Sequence, residues 1–284
     1  MGSEHTSPLP GPLADDAGRL LDGFSGVAGL WVHDLRRRET YGLRHDLVVP
    51  PASTIKLFVL CELFRQVELG RVSLSDEVEL RRRDVVPGTG VLKDLAPGLR
   101  LSLADAATLM VTVSDNVATN LMIDRLGTRG INRGIRDAGC RETRLGGKLF
   151  RGRGSSTTTA EELGRLMLSI VRGKAVTAQA SAAMLRILRR EQSDQIVGRY
   201  LPFSPNDPHR RAPRWKVASK SGSLLGVRND VAHVQGDGLS YVVALVSTGC
   251  ADLRFSLDNE ATVCLARLAR LVHQWCGAPV QIPG

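Results

Sequence analysis

Apolar and polar residues alternate along two segments near the start of the chain and three near its end. Such a period of two is typical of β-strands that bury one face. Residues 26–35 and 39–47 therefore predict a β-hairpin that turns at the three consecutive arginines 36–38. The other strands are predicted at residues 214–222, 228–235 and 239–248.

Between these two groups of strands, apolar residues recur with a helical period, and a proline-rich polar loop is expected at 202–213. We predict an α/β (α+β) fold: an antiparallel five-stranded sheet flanked by helices, with an inserted all-helical lobe. Residues 1–52 and 205–284 would form the α/β lobe and residues 53–204 the helical lobe, with the catalytic cleft between them. The helices are expected at residues 53–69, 102–113, 117–126, 131–138, 159–172, 177–190 and 257–275.

The composition limits the classes of function. With 284 residues, 43% of them hydrophobic, the chain can bury a substantial core. A net charge of +9 raises the question of nucleic acid, but the basic runs are short and only 4% of the residues are aromatic. We therefore expect solvated surface arginines, a small-molecule substrate and no nucleic-acid partner, in a monomeric protein.

No run of residues approaches the roughly 18 apolar positions of a membrane span, and residues 1–12 carry no signal-peptide core. We expect a cytoplasmic protein without a membrane partner, unless an export signal has been removed. The five cysteines are an odd number without paired spacing, and no C-x-x-C or histidine pair suggests a metal site. We therefore predict no metal and no cofactor.

Three short motifs follow one another along the chain: S-x-x-K at residues 53–56, S-D-N at 114–116 and K-S-G at 220–222. S-x-x-K is weak alone, but all three motifs are expected together in only about one chain in a thousand of this composition. Together they supply a nucleophile with a base, a second hydroxyl and a cation beside a strand, which acyl transfer by a serine requires. A purely structural role leaves this coincidence unexplained.

Ser53 follows two prolines and precedes the apolar residues 57–60, so we expect it in the first turn of a buried helix. Residues three apart share a helical face, which places Lys56 one turn below Ser53. A plain N-cap and a solvated lysine are the common alternatives, but a lysine on so apolar a helix is buried and needs a reason. Lys56 can act as a base if burial and neighbouring cations lower its pKa.

The other two motifs also have plain alternatives, a helix N-cap and an exposed edge strand whose lysines deter aggregation. As functional groups, Ser114 can pass a proton to a leaving group, and Asn116 can bind a substrate carbonyl. Gly222 lets a substrate backbone approach closely. The amide of Ser223 could pair with that of Ser53 as an oxyanion hole.

These motifs resemble those of the penicillin-recognising serine hydrolases, and most closely those of the class A β-lactamases. The spacings of 61 and 106 residues between the three motifs are close to the class A pattern. Residues 157–160 (T-T-T-A) resemble the family's T-T-T-P, and residues 229–232 (N-D-V-A) resemble the start of a family strand. The resemblance extends over about residues 20–275, almost the whole chain.

The resemblance implies a mechanism through an acyl-Ser53 intermediate. Lys56 would be the acylation base or relay, Ser114 would carry the proton to the leaving nitrogen, and Asn116 would bind the substrate amide.

It also implies that Lys220 and Ser221 hold a substrate carboxylate. Arg228, directly before N-D-V-A, would add a contact, since arginine suits bidentate carboxylate binding. The G-T-G segment at residues 88–90 stands where the family often has an aromatic residue that gates the cleft. Its absence favours a wider cleft mouth or a different substrate shape.

One departure from the family pattern concerns deacylation. Class A β-lactamases carry a glutamate in an E-x-x-L-N run that activates the hydrolytic water, whereas Gly146 stands at its place here and Phe150 replaces the asparagine. Glu142, the only carboxylate of this loop, comes a few positions too early. Loss of a general base typically costs about 10²–10⁴ in rate. Deacylation would then use Glu142, Lys56 or Ser114, or the natural substrate is not a β-lactam.

We therefore predict a serine hydrolase of β-lactamase-like fold that acts on a lactam, amide or ester with a carboxylate, with weak or no classical β-lactamase turnover. Two alternatives stay open. One is a non-turnover penicillin-binding or sensor protein, which the missing glutamate favours. The other is an acyltransferase or hydrolase in specialised-metabolite biosynthesis.

Overall fold

The computed structural model describes residues 5–151, 154–202 and 215–277, so most of the predicted loop at 202–213 lies outside the described residues. The strands are β1 (Ser7–Pro8), β2 (Val27–Asp34), β3 (Glu39–Leu43), β4 (Glu77–Glu79), β5 (Arg100–Ser102), β6 (Trp215–Leu224), β7 (Val227–Gly236) and β8 (Leu239–Thr248). The α-helices are α1 (Gly11–Leu21), α2 (Lys56–Glu68), α3 (Leu103–Thr112), α4 (Asn116–Leu126), α5 (Thr128–Asp137), α6 (Ala160–Val171), α7 (Ala178–Leu188) and α8 (Glu260–Gly277).

A six-stranded sheet in the order β1-β3-β2-β8-β7-β6 forms the centre of the molecule. The five predicted strands are present and pair antiparallel, which confirms the predicted fold class. The sixth strand, β1, was not predicted because two residues are too short to show an alternation; it pairs in parallel with β3. Since β2 pairs with β8, the first hairpin and the last strands share one sheet, and the helical segment is inserted between them.

Alternation along the strands divides the core into two hydrophobic clusters, one on each face of the sheet. In β2, Trp31 packs with the apolar residues of α2 to α7, whereas Leu30 and Val32 pack with those of α1 and α8. Helix α6 lies directly on the first face, where a methyl group placed on Gly164 would be 2.1 Å from Trp31 Cε3. The predicted division into lobes at residues 53 and 204 stays a prediction.

Besides β1, three elements of the structure were absent from the sequence-based prediction. Helix α1 begins with a proline in its first turn, where proline is tolerated, and buries Leu13 and Ala17, but two glycines and two aspartates weaken its apolar pattern. Strands β4 and β5 pair over only three largely exposed positions each. None of the described helices is long and apolar enough to cross a membrane.

Candidate active site

Ser53 lies in a tight turn where the chain enters α2. Residues Ala52–Ile55 form a 3₁₀ turn, and Ala52 has a φ of +50°, a left-handed conformation that costs about 1–2 kcal/mol in a residue with a Cβ. Asn229 on β7 holds this turn, because its side-chain nitrogen donates to the carbonyls of the two preceding prolines at 2.9 and 3.0 Å. Strain next to a half-buried serine that is fixed from a distant strand is typical of a functional site.

Lys56 is fully buried one helical turn from Ser53. Its Nζ donates to the carbonyl of Ser114 (2.6 Å), to Asn116 Oδ1 (2.9 Å) and to the Ser114 hydroxyl (3.0 Å). Burial lowers the pKa of Lys56 well below its usual range, and the nearby charge of Lys220 lowers it further. A lysine in this setting is available as a neutral base at a lower pH than a solvated one.

Ser114 occupies the sharp turn between α3 and α4, with a φ of +53°. The neighbouring Asp115 caps α4, because its Oδ1 accepts a hydrogen bond of 2.9 Å from the Ala118 amide. Its Oδ2 accepts a hydrogen bond of 2.7 Å from the Val91 amide. The N-cap interpretation is confirmed for Asp115, and the proton-transfer role of Ser114 stays a prediction. Asp115 fixes the turn, while Ser114 and Asn116 reach Lys56.

The G-T-G segment at residues 88–90 packs directly on S-D-N. A methyl group placed on Gly88 would lie 2.5 Å from Asn116 Nδ2, and one placed on Gly90 would lie 2.3 Å from Asp115 Cγ. Both glycines have positive φ, +93° and +105°. A larger residue cannot enter either position without moving S-D-N. An exposed ring, that of Phe150, reaches the same place, with Cζ 3.4 Å from the methyl position at Gly88.

The K-S-G motif lies on β6, at the edge of the sheet. A methyl group placed on Gly222 would be 2.7 Å from the amide nitrogen of Ser53, so glycine is what lets the strand pass this close. The Ser221 amide points off the sheet edge, because it donates to a carboxylate oxygen of Glu191 at 2.9 Å. Amide direction alternates along a strand, so the Ser223 amide points off the same edge. The predicted pairing of the Ser53 and Ser223 amides in an oxyanion hole is consistent with this placement.

Glu191, in the loop after α7, was not predicted to belong to the site. It is buried, and its Oε1 accepts hydrogen bonds from Lys220 Nζ and from the Ser221 hydroxyl, the latter at 2.9 Å. The signal in the sequence is indirect, since a buried lysine on β6 needs a counter-charge. Nothing local in the sequence says which carboxylate provides it, and the two preceding arginines point to a solvated surface.

Arg228 is placed differently from its predicted role. Its guanidinium donates to the carbonyls of Leu224 and Val227, both at 2.8 Å, and to that of Arg254, while its Nε donates to the Thr262 hydroxyl of α8 at 3.1 Å. The side chain is buried, and these acceptors use most of its five donors. The structure therefore gives Arg228 a role in holding the β6–β7 turn against α8, and a substrate contact stays a prediction that this geometry does not favour.

Comparison with known proteins agrees with these features. The sequence profile of the β-lactamase enzyme family matches residues 12–276. The chain belongs to this family. It is 25% identical over 262 residues to a β-lactamase of Rhodobacter capsulatus, with 90% of this chain and 86% of that protein covered. The resemblance inferred from the three motifs is thereby confirmed, and the chain is a β-lactamase-like serine hydrolase.

Two solved structures share almost the whole fold. A β-lactamase from Sphaerobacter thermophilus gives a TM-score of 0.84 at 28% identity, covering 94% of this chain and 98% of that one. PBP-A gives a TM-score of 0.83 at 27% identity, covering 96% and 98%. A leucine-to-glutamate variant of PBP-A has been solved as an acyl-enzyme complex with penicillin G.

The loop between α5 and α6 is where the resemblance to class A β-lactamases places the glutamate for deacylation. Side-chain hydrogen bonds hold this loop. Glu162 on α6 accepts the amides of residues 141–143 at 2.6–3.0 Å. Asn120 on α4 and Leu149 exchange two hydrogen bonds of 2.7 and 3.1 Å. Buried or half-buried side chains thus anchor this loop at residues 141–143 and at Leu149.

The same loop offers no buried carboxylate within its described residues, 141–151 and 154–156. Glu142 is exposed. Gly146, where the sequence pattern predicts the family glutamate, packs on Gly154, and a methyl group placed there would lie 2.2 Å from the Gly154 carbonyl oxygen. A side chain at position 146 therefore does not fit the loop as it is folded.

Proposed function

We propose that this chain forms an acyl-enzyme on Ser53 with a lactam, amide or ester, and that the acyl group leaves slowly. The main observation in support of this proposal is the environment of Lys56. This residue is fully buried one turn from Ser53, with its Nζ 3.0 Å from the Ser114 hydroxyl. Few structural roles call for a lysine in such a place, because burying its charge is costly.

In the proposed acylation step, neutral Lys56 takes the proton of the Ser53 hydroxyl as Ser53 Oγ attacks the substrate carbonyl carbon. The Ser53 and Ser223 amides stabilise the negative charge that develops on the carbonyl oxygen. The bond from carbon to the leaving nitrogen or oxygen then breaks. Ser114 donates its proton to that leaving atom and receives the proton held by Lys56, which the 3.0 Å contact allows.

Slow deacylation is supported by the loop between α5 and α6. Its described residues carry no buried carboxylate, and Gly146 is packed against Gly154. A second candidate function follows from the same observation: the chain holds a penicillin-type acyl group without turnover. The structural likeness to PBP-A, solved with penicillin G as an acyl-enzyme in a variant that gained a glutamate, favours this second candidate.

Intact mass measurement after incubation with a chromogenic cephalosporin and a fluorescent penicillin tests the proposal. We expect a long-lived adduct on the wild-type chain and none on Ser53→Ala, with unchanged adduct on the control Ser75→Ala, which alters an exposed serine. Colour change without a lasting adduct would contradict slow deacylation. An adduct that persists in Ser53→Ala would overturn the assignment of the nucleophile.

A further inference from the structure

Glu191 occupies the place where the resemblance puts a substrate carboxylate. The two residues expected to hold that carboxylate are Lys220 and Ser221, and both are hydrogen-bonded to the Glu191 side chain. The Ser221 amide also donates to both Glu191 oxygens, at 2.9 and 3.1 Å. An acidic group of the chain itself therefore sits in the anion subsite.

A count of hydrogen-bond donors shows how little the subsite has left for a second anion. The Ser221 hydroxyl has one proton, which it gives to Glu191 at 2.9 Å, and the Ser221 amide proton goes to the same carboxylate. Lys220 has three N–H groups, of which one goes to Glu191 and one to the Ser221 carbonyl at 3.0 Å. Within the part of the chain that the structure describes, one N–H of this fully buried lysine has no acceptor.

The charge balance points the same way. Lys220 and Glu191 are both buried and cancel each other, so the subsite is not electropositive. Asp230 lies on the neighbouring strand opposite Ser221, with its Oδ2 accepting the Val197 amide at 3.1 Å. A substrate carboxylate placed here would meet the Glu191 carboxylate at short range in a poorly solvated environment, where like charges repel strongly.

Glu191 lies beside the edge of β6, and this position brings it within reach of a bound substrate. Ser221 and Ser223 point their amides off the same edge of β6 and are two residues apart, which is about 7 Å along a strand. A substrate whose carbonyl lies at the Ser223 amide and which follows the edge thus reaches Ser221 with its next substituent. Among the described residues, Glu191 Oε2 accepts only from the Ser221 amide, so it has acceptor capacity left.

We propose that Glu191 determines specificity by filling this subsite, so that the enzyme selects substrates with a hydrogen-bond donor, such as a carboxamide, hydroxyl or ammonium group, in place of a carboxylate. This inference rests on the acyl-Ser53 function proposed above and names its substrate class. Glu191 does not react with the acyl group. It chooses between substrates through its charge and its hold on Lys220 and Ser221.

The test compares two nearly isosteric probes, penicillin G and its primary carboxamide. In the wild-type chain we expect Ser53 to be acylated faster by the carboxamide, by about 10- to 100-fold, the range that one hydrogen bond to a charged group supports. In Glu191→Gln the preference should shift toward the carboxylate probe by a similar factor. Glu191→Asp keeps the negative charge and serves as the matched control, in which the carboxamide preference should persist.

Calorimetric binding of both probes to Ser53→Ala, with and without Glu191→Gln, separates this inference from the acylation mechanism. If acylation fails but the binding preference changes as stated, the proposed function falls and the role of Glu191 stands. Equal loss of both probes in Glu191→Gln, an unchanged ratio, or no gain of carboxylate binding would overturn the inference. If Glu191→Gln does not fold, the wild-type chain still tests the inference, because a preference of the wild-type chain for the carboxylate probe would by itself overturn it.

Discussion

The proposed acylation centre (Ser53, Lys56 and Ser114) and the loop between α5 and α6 are both held by several side-chain hydrogen bonds, but they present different reactive groups. Around Lys56, buried polar atoms from α2 and the S-D-N turn converge within 3.0 Å. The loop is anchored just as firmly through Glu162 and Asn120, yet its anchors hold backbone and offer no buried carboxylate within the described residues. Under the proposed function, formation and release of the acyl group would depend on separate regions, so that one could be altered while the other is kept.

The largest effect should come from Lys56→Arg, which retains a cation but removes the base, because arginine does not deprotonate in proteins. We expect the acylation rate to fall by about 10²–10⁴. In the wild-type chain the rate should rise with pH, with an inflection below the usual value for lysine, since burial and Lys220 lower the pKa of Lys56. Stopped-flow acylation across a pH series checks both statements.

Lys216→Arg is the matched control for that series, because Lys216 is exposed on the same strand as Lys220. It should leave the rate and its pH profile unchanged. A profile for Lys56→Arg that still rises with the wild-type inflection would show that another group is the base, and would break the assignment of the acylation centre to Lys56.

Gly222→Ala tests the second part of the acylation centre, the proposed oxyanion hole formed by the Ser53 and Ser223 amides. The added methyl group would lie 2.7 Å from the Ser53 amide nitrogen and must push β6 away from it. Separation of the Ser53 and Ser223 amides should slow acylation by about 10²–10³, as loss of an oxyanion donor does. Gly18→Ala, with no atom within 4 Å of the new methyl group, should acylate normally. Normal acylation by Gly222→Ala would contradict the proposed amide pair.

The sequence predicted the parts of the site that are close together along the chain. The S-x-x-K spacing placed Lys56 one turn from Ser53, and the apolar residues around it indicated burial, both of which the structure confirms. The cap in S-D-N followed from residue type alone. The alternation along five strands was equally readable, because a strand with one face on a hydrophobic core must alternate.

The missed parts depend on contacts between distant residues. Asn229 holds the two prolines before Ser53 from 178 and 179 positions away. Glu191 neutralises Lys220 from 29 positions away. Residue type shows that a buried lysine needs a partner, but not which carboxylate the fold brings to it. For Arg228 the residue type suggested a contact with a substrate carboxylate. In the structure its guanidinium donates to backbone carbonyls instead.

Gly146→Ala probes the other region, the loop between α5 and α6, whose described residues carry no buried carboxylate. Its methyl group would lie 2.2 Å from the Gly154 carbonyl oxygen, so the loop must open. We expect the free energy of unfolding to fall by about 1–3 kcal/mol, as for other overpacked sites, with little change in the acylation rate. Thermal or urea unfolding measures the first, and intact mass the second. Gly23→Ala, whose methyl group meets no atom within 4 Å, should leave stability nearly unchanged.

A loss of acylation in Gly146→Ala as large as that in Gly222→Ala would show that the loop and the acylation centre are not separate. An unchanged stability would show instead that the loop has room for a side chain at position 146. In that case Gly146→Glu would test whether a carboxylate at this position speeds release of the acyl group.

A pH-dependent effect on stability is expected at Asp230, which lies on β7 opposite Ser221. Burial, and next the charge of Glu191, raise the pKa of Asp230 from 3.8 to about 7. The folded state then binds more protons than the unfolded state between those values. The free energy of unfolding should therefore decrease as pH rises from about 4 to 7, by at most about 1.4 kcal/mol per pH unit.

Asp230→Asn should remove this part of the pH dependence, whereas Asp137→Asn, which alters an exposed carboxylate, should keep it. Urea unfolding at a series of pH values measures the slope. Asparagine mimics the protonated acid and keeps an oxygen for the Val197 amide. A slope that persists in Asp230→Asn would mean that Asp230 stays charged beside Glu191. The anion subsite would then hold two carboxylates against Lys220, and its exclusion of a third from the substrate would be stronger still.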